Sequence, residues 1–235
     1  EATDLNAAFN HWITRRTPFV TVKAAMTIDG KIAKENGESK WITSEAARRK
    51  GRHLRNGSDA ILVGIETILA DNPSLTTRVS RRIAQLRRVV LDSHARTPLD
   101  AKIIRDGAAN STTVVVLKGA RRRSVVELRK RVMVVVAPAR DGRIDLKWLL
   151  KRLGKENVSN LLVEGGGEVN AAFLNNRLAQ RVVFFYAPKI LGGSRSRSAV
   201  GGNVMINPKE GLRLSAVDWC RVGADLLLTA RIEND

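Results

Sequence analysis

The stretch Leu161-Leu162-Val163-Glu164-Gly165-Gly166-Gly167-Glu168-Val169-Asn170 is a short apolar run that ends in an acid, passes through three glycines and reopens as a helix. That order is the pattern of a buried strand feeding a turn and then a helix. Glycines lack a Cβ, so backbone N–H groups there can approach a ligand closely, and the helix that follows offers its positive end to an anion. Glu164 falls at the end of the strand, where open α/β sheets hold their ligands. The residues alone leave a second reading open, a tight strand-to-helix connection in which the glycines supply positive φ.

Working outward, the runs Phe19–Ala25, Ala60–Val63, Val89–Leu91, Thr112–Leu117, Val132–Ala137 and Leu161–Val163 are apolar and mostly continuous rather than alternating. Continuous runs belong to strands buried on both faces, hence to a largely parallel sheet. Helices are predicted over Ser44–Arg55 behind a Thr43-Ser44 cap, over Ser124–Lys130 and over Glu168–Asn175. A further helix follows the cap Asp145, with Leu146, Leu149, Leu150 and Leu153 at helical spacing and a stop at Gly154. The C-terminal part differs. Val182–Ala187, Leu212–Cys220 and Asp225–Ile232 read as strands without helices between them, the last two forming an antiparallel hairpin through Arg221-Val222-Gly223-Ala224. The expected fold is a three-layer α/β/α sandwich with a mostly parallel central sheet and antiparallel C-terminal edge strands. One domain over residues 17–235 is expected, with residues 1–16 as a leader or linker.

A chain of 235 residues, 43% apolar and 27% charged, suits a globular protein with a substantial core. No apolar run reaches the roughly 18 residues of a membrane span and no signal-peptide pattern opens the chain, so a cytoplasmic location is expected. The chain opens on Glu-Ala-Thr-Asp without a methionine, which fits a piece of something longer. A single cysteine, Cys220, excludes an intrachain disulfide and a multi-cysteine zinc site; it is expected to pack as a small hydrophobe, and no metal is expected. The formal charge of +18, from 41 Lys+Arg against 23 Asp+Glu, raises the question of nucleic acid. Yet the basic residues are spread along the chain, only 4% of residues are aromatic, and no nucleic-acid motif occurs. A solvated basic surface with a few arginines aimed at a phosphorylated small molecule accounts for the balance better.

A second informative region follows the first strand: Lys23-Ala24-Ala25-Met26-Thr27-Ile28-Asp29-Gly30, then Gly37-Glu38-Ser39-Lys40-Trp41-Ile42-Thr43. Small residues after a strand permit close approach of a flat ligand, and Asp29-Gly30 is a turn signal. On the Ser44 helix, Arg48, Arg52 and Arg55 share one face, read as a solvated row for the first two. Trp12, Trp148 and Trp219 are expected as core or interface anchors.

With Thr67–Arg78, Leu91-Asp92-Ser93 and Pro188-Lys189-Ile190-Leu191-Gly192-Gly193 added, these motifs stand in a characteristic order. From about Phe19 onward the chain resembles the reductase domain of bacterial riboflavin biosynthesis, 5-amino-6-(5-phosphoribosylamino)uracil reductase, whose fold is like that of dihydrofolate reductase. The resemblance implies NADPH-dependent reduction of a phosphoribosylamino group to a ribitylamino group, and a homodimer. The zinc-deaminase signature is absent, so the chain reads as the reductase half, with a fused or upstream deaminase as its expected partner. The usual Gly-x-Gly-x-x-Gly fingerprint is missing, which argues against an ordinary Rossmann domain.

The resemblance places Ala25, Trp41, Thr67, Asp71, Ser93 and the run Gly165, Gly166, Gly167, Glu168, Val169, Asn170, Ala171 and Ala172 on NADPH. It places Lys23, Ser39, Arg55, Leu75, Arg78 and Glu164 on the substrate, where two arginines suit a ribose 5-phosphate. Lys23 is the candidate proton donor, Glu164 accepts hydrogen bonds from the pyrimidine or ribose, and Asp29 either assists protonation or holds the Lys23 region in place. Ser93 and Arg96, or Lys118, are candidates for the 2′-phosphate of the cofactor. Two rival readings stay open: a reductase of the same fold acting on a pterin or on the pyrimidine before deamination, and an idle module whose basic surface binds nucleic acid.

Overall fold

The computed structural model describes residues 6–35, 37, 39, 41–77, 86–202 and 211–233. In chain order the elements are α1 (Ala7–Arg15), β1 (Phe19–Thr27), β2 (Lys31–Ala33), α2 (Glu45–Asn56), β3 (Ala60–Gly64), α3 (Ile65–Asp71), β4 (Arg87–Leu91), α4 (Lys102–Arg105) and β5 (Thr112–Leu117). They continue with α5 (Arg122–Arg129), β6 (Met133–Ala137), β7 (Ala139–Arg140), β8 (Arg143–Ile144), α6 (Leu146–Lys155), β9 (Asn160–Val163), α7 (Gly167–Asn175), β10 (Arg181–Ala187), β11 (Arg197–Ser198), β12 (Leu214–Val222) and β13 (Asp225–Ile232). The chain forms two compact units, one of residues up to Phe19 with Arg55–Leu161, the other of Val20–Leu54 with Leu162 onward.

In the first unit β3, β4, β5 and β6 lie side by side, each pair parallel. Their Val, Ile and Leu side chains, among them Ile61, Val63, Val90, Val114 and Val116, pack with Ile68, Ile103 and Leu128 of the helices into one apolar cluster. Strands β3, β4 and β5 are buried on both faces, as continuous apolar runs require, whereas β6, paired only with β5 among the described residues, leaves Met133 and Val136 exposed, a correction to the reading of Val132–Ala137. One residue of β4 breaks the pattern. Arg88 is fully buried, its guanidinium forked onto Asp106 just past α4. Burial pushes the Asp106 carboxyl up, but the hydrogen bonds and charge of Arg88 outweigh it and hold the group below its ordinary value. Truncating one member of such a pair strands the other charge and costs about 3–5 kcal/mol.

The sequence pattern predicts a helix stop at Gly154; α6 instead runs through it to Lys155. A Cβ at Gly154 would stand 2.1 Å from the carbonyl oxygen of Arg16, and the Trp12 indole donates to the Gly154 carbonyl at 2.9 Å. The glycine is there to let α1 and the chain after it sit against α6. The pair β7 and β8 is joined by Asp141-Gly142, both at positive φ, the geometry that Asp-Gly favours in a tight hairpin.

In the second unit β1 and β10 run parallel, and β13 and then β12 are added antiparallel to β10. The mixed α/β architecture with mostly parallel strands and an antiparallel C-terminal edge is the one expected. The Thr43-Ser44 cap also forms: Ser44 Oγ accepts from Ala47 N at 3.3 Å, and buried Asp225 accepts from both Ser44 N and Ser44 Oγ. The hairpin turn is tighter than expected, because Val222 already pairs with Asp225 and only Gly223-Ala224 lie between the strands. One expectation fails on β12: Cys220 is exposed rather than packed. Of the two roles expected for Trp219, core or interface anchor, the core is excluded, since it is 55% exposed and lies 5.7 Å from the Tyr186 ring. Among the described residues β12 pairs with β13 alone, so most of its side chains stay in solvent.

Candidate active site

Lys23 and Ala25 are two residues apart on β1 and so share a face, and they are the two positions of that strand that are not fully buried. Lys23 Nζ lies 3.9 Å from Glu164 Oε2, with the side chains 19% and 12% exposed. The ammonium is also 5.9 Å from the centre of the Phe185 ring. Gly51 on α2 borders the long side chain, and a Cβ there would stand in ordinary contact with it, 3.4 Å from Lys23 Cε and 3.6 Å from Nζ.

Glu164 closes β9 and leads directly into the glycine turn. None of its three glycines has positive φ, so the reading that the turn demands that conformation is corrected. Space is the reason for two of them. A Cβ on Gly165 would meet Val169 Cβ at 2.5 Å, and one on Gly167 would meet the Ser198 carbonyl oxygen at 2.1 Å. Gly166 differs: among the described residues nothing lies within 4 Å of its Cβ position. It is the residue preceding α7, and among the described residues no side chain caps the helix. The first-turn amides are therefore of the kind that accept an anion. Asn170, fully buried, fastens α7 to the segment after β11 by donating from Nδ2 to the Ala199 carbonyl at 2.8 Å, and among the described residues its Oδ1 has no hydrogen-bond partner.

Asp29 follows β1 and accepts from Leu191 N at 3.1 Å and Gly192 N at 2.8 Å, so it holds the loop after β10. A hydrogen bond from Thr27, then that from Gly192, lowers its pKa from 3.8 to about 2. At neutral pH the group is ionised and has no proton to give; its contacts are those of a loop anchor. A depressed folded-state pKa contributes stability above the unfolded value that is lost as pH falls through the folded one. Exchange protection of the Leu191 and Gly192 amides is therefore expected to fade between pH 3.8 and about 2, and to be lost at neutral pH in Asp29→Ala. Protection unchanged across that window would count against the anchor. Trp41 is 65% exposed, with the Arg48 guanidinium 4.5 Å over its ring and its carbonyl accepting from Lys189 Nζ at 3.1 Å. Arg48 thus belongs to this tryptophan rather than to a solvated row. Ser39 is half-buried.

The first unit holds the other expected residues, of which Thr67, Asp71 and Ser93 come just after the carboxyl ends of parallel strands, where ligands of such sheets bind. Thr67 and Asp71 are half-buried on α3, just past β3, and Ser93 follows β4. Leu75 is 3% exposed with φ +53, a conformation that costs a bulky residue about 1–3 kcal/mol and persists only when its surroundings impose it. Arg55 Nη1 reaches the neighbouring Thr76 carbonyl at 3.5 Å. Arg78 lies outside the described residues. Past Ser93 a cleft of about 850 Å³ opens, lined among others by His94, Arg96, Thr97, Arg121 and Ser124. Its wall is shaped by buried Asp92, whose Oδ2 accepts from both the N and the Oγ1 of Thr97 at 2.7 Å. Arg96 pairs with Glu66 at 2.5 Å, both exposed. The sequence pointed to Arg96 but not to Arg121, which comes from the end of β5 and has no motif of its own. Among the described residues no group of His, Cys, Asp and Glu could hold a metal ion.

Mixed α/β units with mostly parallel strands, a glycine turn opening a helix and an arginine-lined cleft past a strand end are of the class of α/β folds that bind phosphorylated ligands at their strand ends. The profile of the RibD C-terminal domain matches residues 18–228, and the chain belongs to that family. It is 38% identical over 229 residues to the riboflavin biosynthesis protein RibD of Actinobacillus pleuropneumoniae, covering 97% of this chain and 60% of that protein. It is 40% identical over 219 residues to the 2,5-diamino-6-ribosylamino-4(3H)-pyrimidinone 5′-phosphate reductase of Methanothermobacter thermautotrophicus, covering 92% and 99%. A solved structure from Thermotoga maritima, a diaminohydroxyphosphoribosylaminopyrimidine deaminase/5-amino-6-(5-phosphoribosylamino)uracil reductase, superposes with a TM-score of 0.76 at 28% identity over 98% of this chain and 61% of that one. The chain thus spans about 60% of the length of the bacterial relatives it matches.

Proposed function

We propose that the chain is an NADPH-dependent oxidoreductase of riboflavin biosynthesis, reducing 5-amino-6-(5-phosphoribosylamino)uracil to its ribitylamino product. The observation that carries the reading is the Lys23–Glu164 pair standing directly ahead of the glycine turn. Membership of the family and the reductase activity named for the Thermotoga maritima protein support it. The name of the Methanothermobacter thermautotrophicus relative favours a second substrate, the diamino pyrimidinone before deamination.

The residues fit the cofactor. Among the described residues, Gly166 leaves open space for a ligand, the uncapped start of α7 suits a phosphate, and buried Asn170 Oδ1 is an unused acceptor. Ala25, Thr67, Asp71 and Ser93 complete its contacts, Trp41 offers a flat exposed ring, and Arg96 and Arg121 meet the 2′-phosphate. Bound NADPH supplies the hydride that ribosyl C1′ accepts once the ring is open. The accompanying proton is the chain's to provide, and Lys23 Nζ gives it to the ribose ring oxygen as the C1′–O bond breaks. Glu164 orients the ammonium and accepts from the substrate's N–H or hydroxyl groups, Arg55 meets the 5′-phosphate, and Ser39 and the Leu75 backbone border the sugar. Asp29 acts as a positioning residue through its loop. A homodimer and a cytoplasmic location belong to the same reading; the exposed Val217 and Trp219 on edge strand β12 support the dimer.

The test mixes the purified chain with NADPH and either pyrimidine and follows loss of the reduced-nicotinamide absorbance. Oxidation with the uracil is expected; oxidation with the diamino compound alone moves the assignment to the second substrate, and neither turnover nor NADPH binding overturns the reading. Arg96→Ala/Arg121→Ala is expected to lower the preference for NADPH over NADH by about 10–100-fold, the worth of hydrogen bonds to a charged group. An unchanged NADPH-to-NADH ratio of kcat/KM removes the cleft from the cofactor site.

A further inference from the structure

Arg88 sits within β4 with its side chain 1% exposed, and a buried arginine is held by what it pairs with. Nε donates to Thr112 Oγ1 at 2.9 Å, and Nη2 to the Ile103 carbonyl at 3.0 Å and Asp106 Oδ1 at 2.8 Å. Nη1 donates to Asp106 Oδ2 at 2.7 Å and to the Ser74 carbonyl at 2.8 Å. All but the last of these bonds fix the guanidinium to α4, the turn after it and β5. The last reaches out to the loop that follows α3. That loop starts at Asn72, whose Oδ1 accepts from Lys102 N at 2.9 Å, and it contains Leu75 with its side chain in the core and φ +53. With its side chain so placed, Leu75 has its backbone to offer a ligand. A backbone held in that region must be over-determined by its neighbours, and the adjoining Ser74 peptide is where the rigid fork takes hold.

We propose that Arg88 is the positioning residue of this loop: anchored by Asp106, it grips the Ser74 carbonyl and fixes the left-handed Leu75 backbone in the shape the phosphoribosyl substrate reads. This rests on the assignment of Leu75 to the substrate made above. Lysine cannot reproduce the fork, since one ammonium cannot serve Asp106 and Ser74 in the same plane. Arg88→Lys is compared with Thr112→Val, which removes a contact to Nε on the side away from Ser74.

Three quantities are measured on the whole chain: amide exchange, the NADPH Kd, and steady-state kinetics with the pyrimidine. In Arg88→Lys the amides of Leu75–Thr77 are expected to exchange about tenfold faster while those of β3 and β5 hold. KM for the pyrimidine is expected to rise about tenfold, with kcat and NADPH Kd within about twofold. Thr112→Val is expected to lower the melting temperature and leave KM alone. Should Arg88→Lys fail to fold, Asp106→Asn takes its place with the same expectations. Unchanged exchange in the loop overturns the proposal, as does faster exchange with an unchanged KM, or a KM, kcat and NADPH Kd that move together in both variants. If the wild type turns over neither pyrimidine, the functional reading falls and the substrate part of the proposal with it; the exchange data then still decide whether Arg88 holds the loop, so the two failures are told apart.

Discussion

Lys23→Met is expected to lower kcat by about 10²–10⁴-fold, the usual contribution of a positioned proton donor, while NADPH binds as before. Methionine keeps most of the length of the side chain that Gly51 and Phe185 border, so the change removes the proton rather than the packing. Glu164→Gln separates orientation from proton delivery. The amide preserves shape beside the ammonium but not its charge, and the pair is buried enough for that charge to matter. Its expected signature is a raised KM for the pyrimidine together with a smaller fall in kcat. A loss of less than about tenfold in kcat/KM for Lys23→Met, on a protein that still binds NADPH, would remove Lys23 from the chemistry.

Alanine at Gly167 is expected to cost about 3 kcal/mol or more, because the new Cβ would meet a backbone oxygen at 2.1 Å and backbone yields little. Alanine at Gly166, one residue earlier, is expected to leave the melting temperature nearly unchanged. Its backbone is extended, with φ −71, so alanine fits there and restricts the unfolded chain, a gain of about 0.4–1 kcal/mol. Against this, alanine is a poorer residue than glycine at a helix cap, by a similar amount. What Gly166→Ala takes away is open space, so the NADPH Kd should rise about tenfold or more while stability holds. Thermal melts and nicotinamide fluorescence titrations on the two variants provide the test. A Gly166→Ala protein that binds NADPH as the wild type does would leave the turn a purely structural connection.

The sequence carried the strands well because their apolar runs are continuous, and a run such as Ala60–Val63 has few other ways to be buried. It singled out Lys23, Glu164 and the glycine turn because these lie within or next to strands, and the structure sets Lys23 Nζ 3.9 Å from Glu164 just ahead of that turn. It misjudged the glycines' reason, since close approach by Val169 and Ser198 involves a partner far along the chain or a rotamer, neither visible in a local pattern. Gly154 misled for the same cause: the crowding residue is Arg16. Arg88 was invisible because a charged residue at the start of a strand looks like its solvated end, and only the fold brings Asp106, Thr112 and Ser74 around it. Cys220 was read as packed by residue type, whereas an edge strand leaves it outside.

The pairing of β1 with β10 has a consequence during synthesis. Thr21 lies beside Arg181, so the ribosome must add 160 residues between making one partner and making the other. At about 5–20 residues per second, β1 waits roughly 8–32 seconds with its apolar residues unpaired by β10. The parallel strands β3 to β6 are complete well before that interval ends, and they can close on one another in the meantime. For this chain the nascent segment around Phe19–Thr27 is thus the stretch most in need of protection from other unfinished chains, and slowing translation late in the message lengthens its exposure.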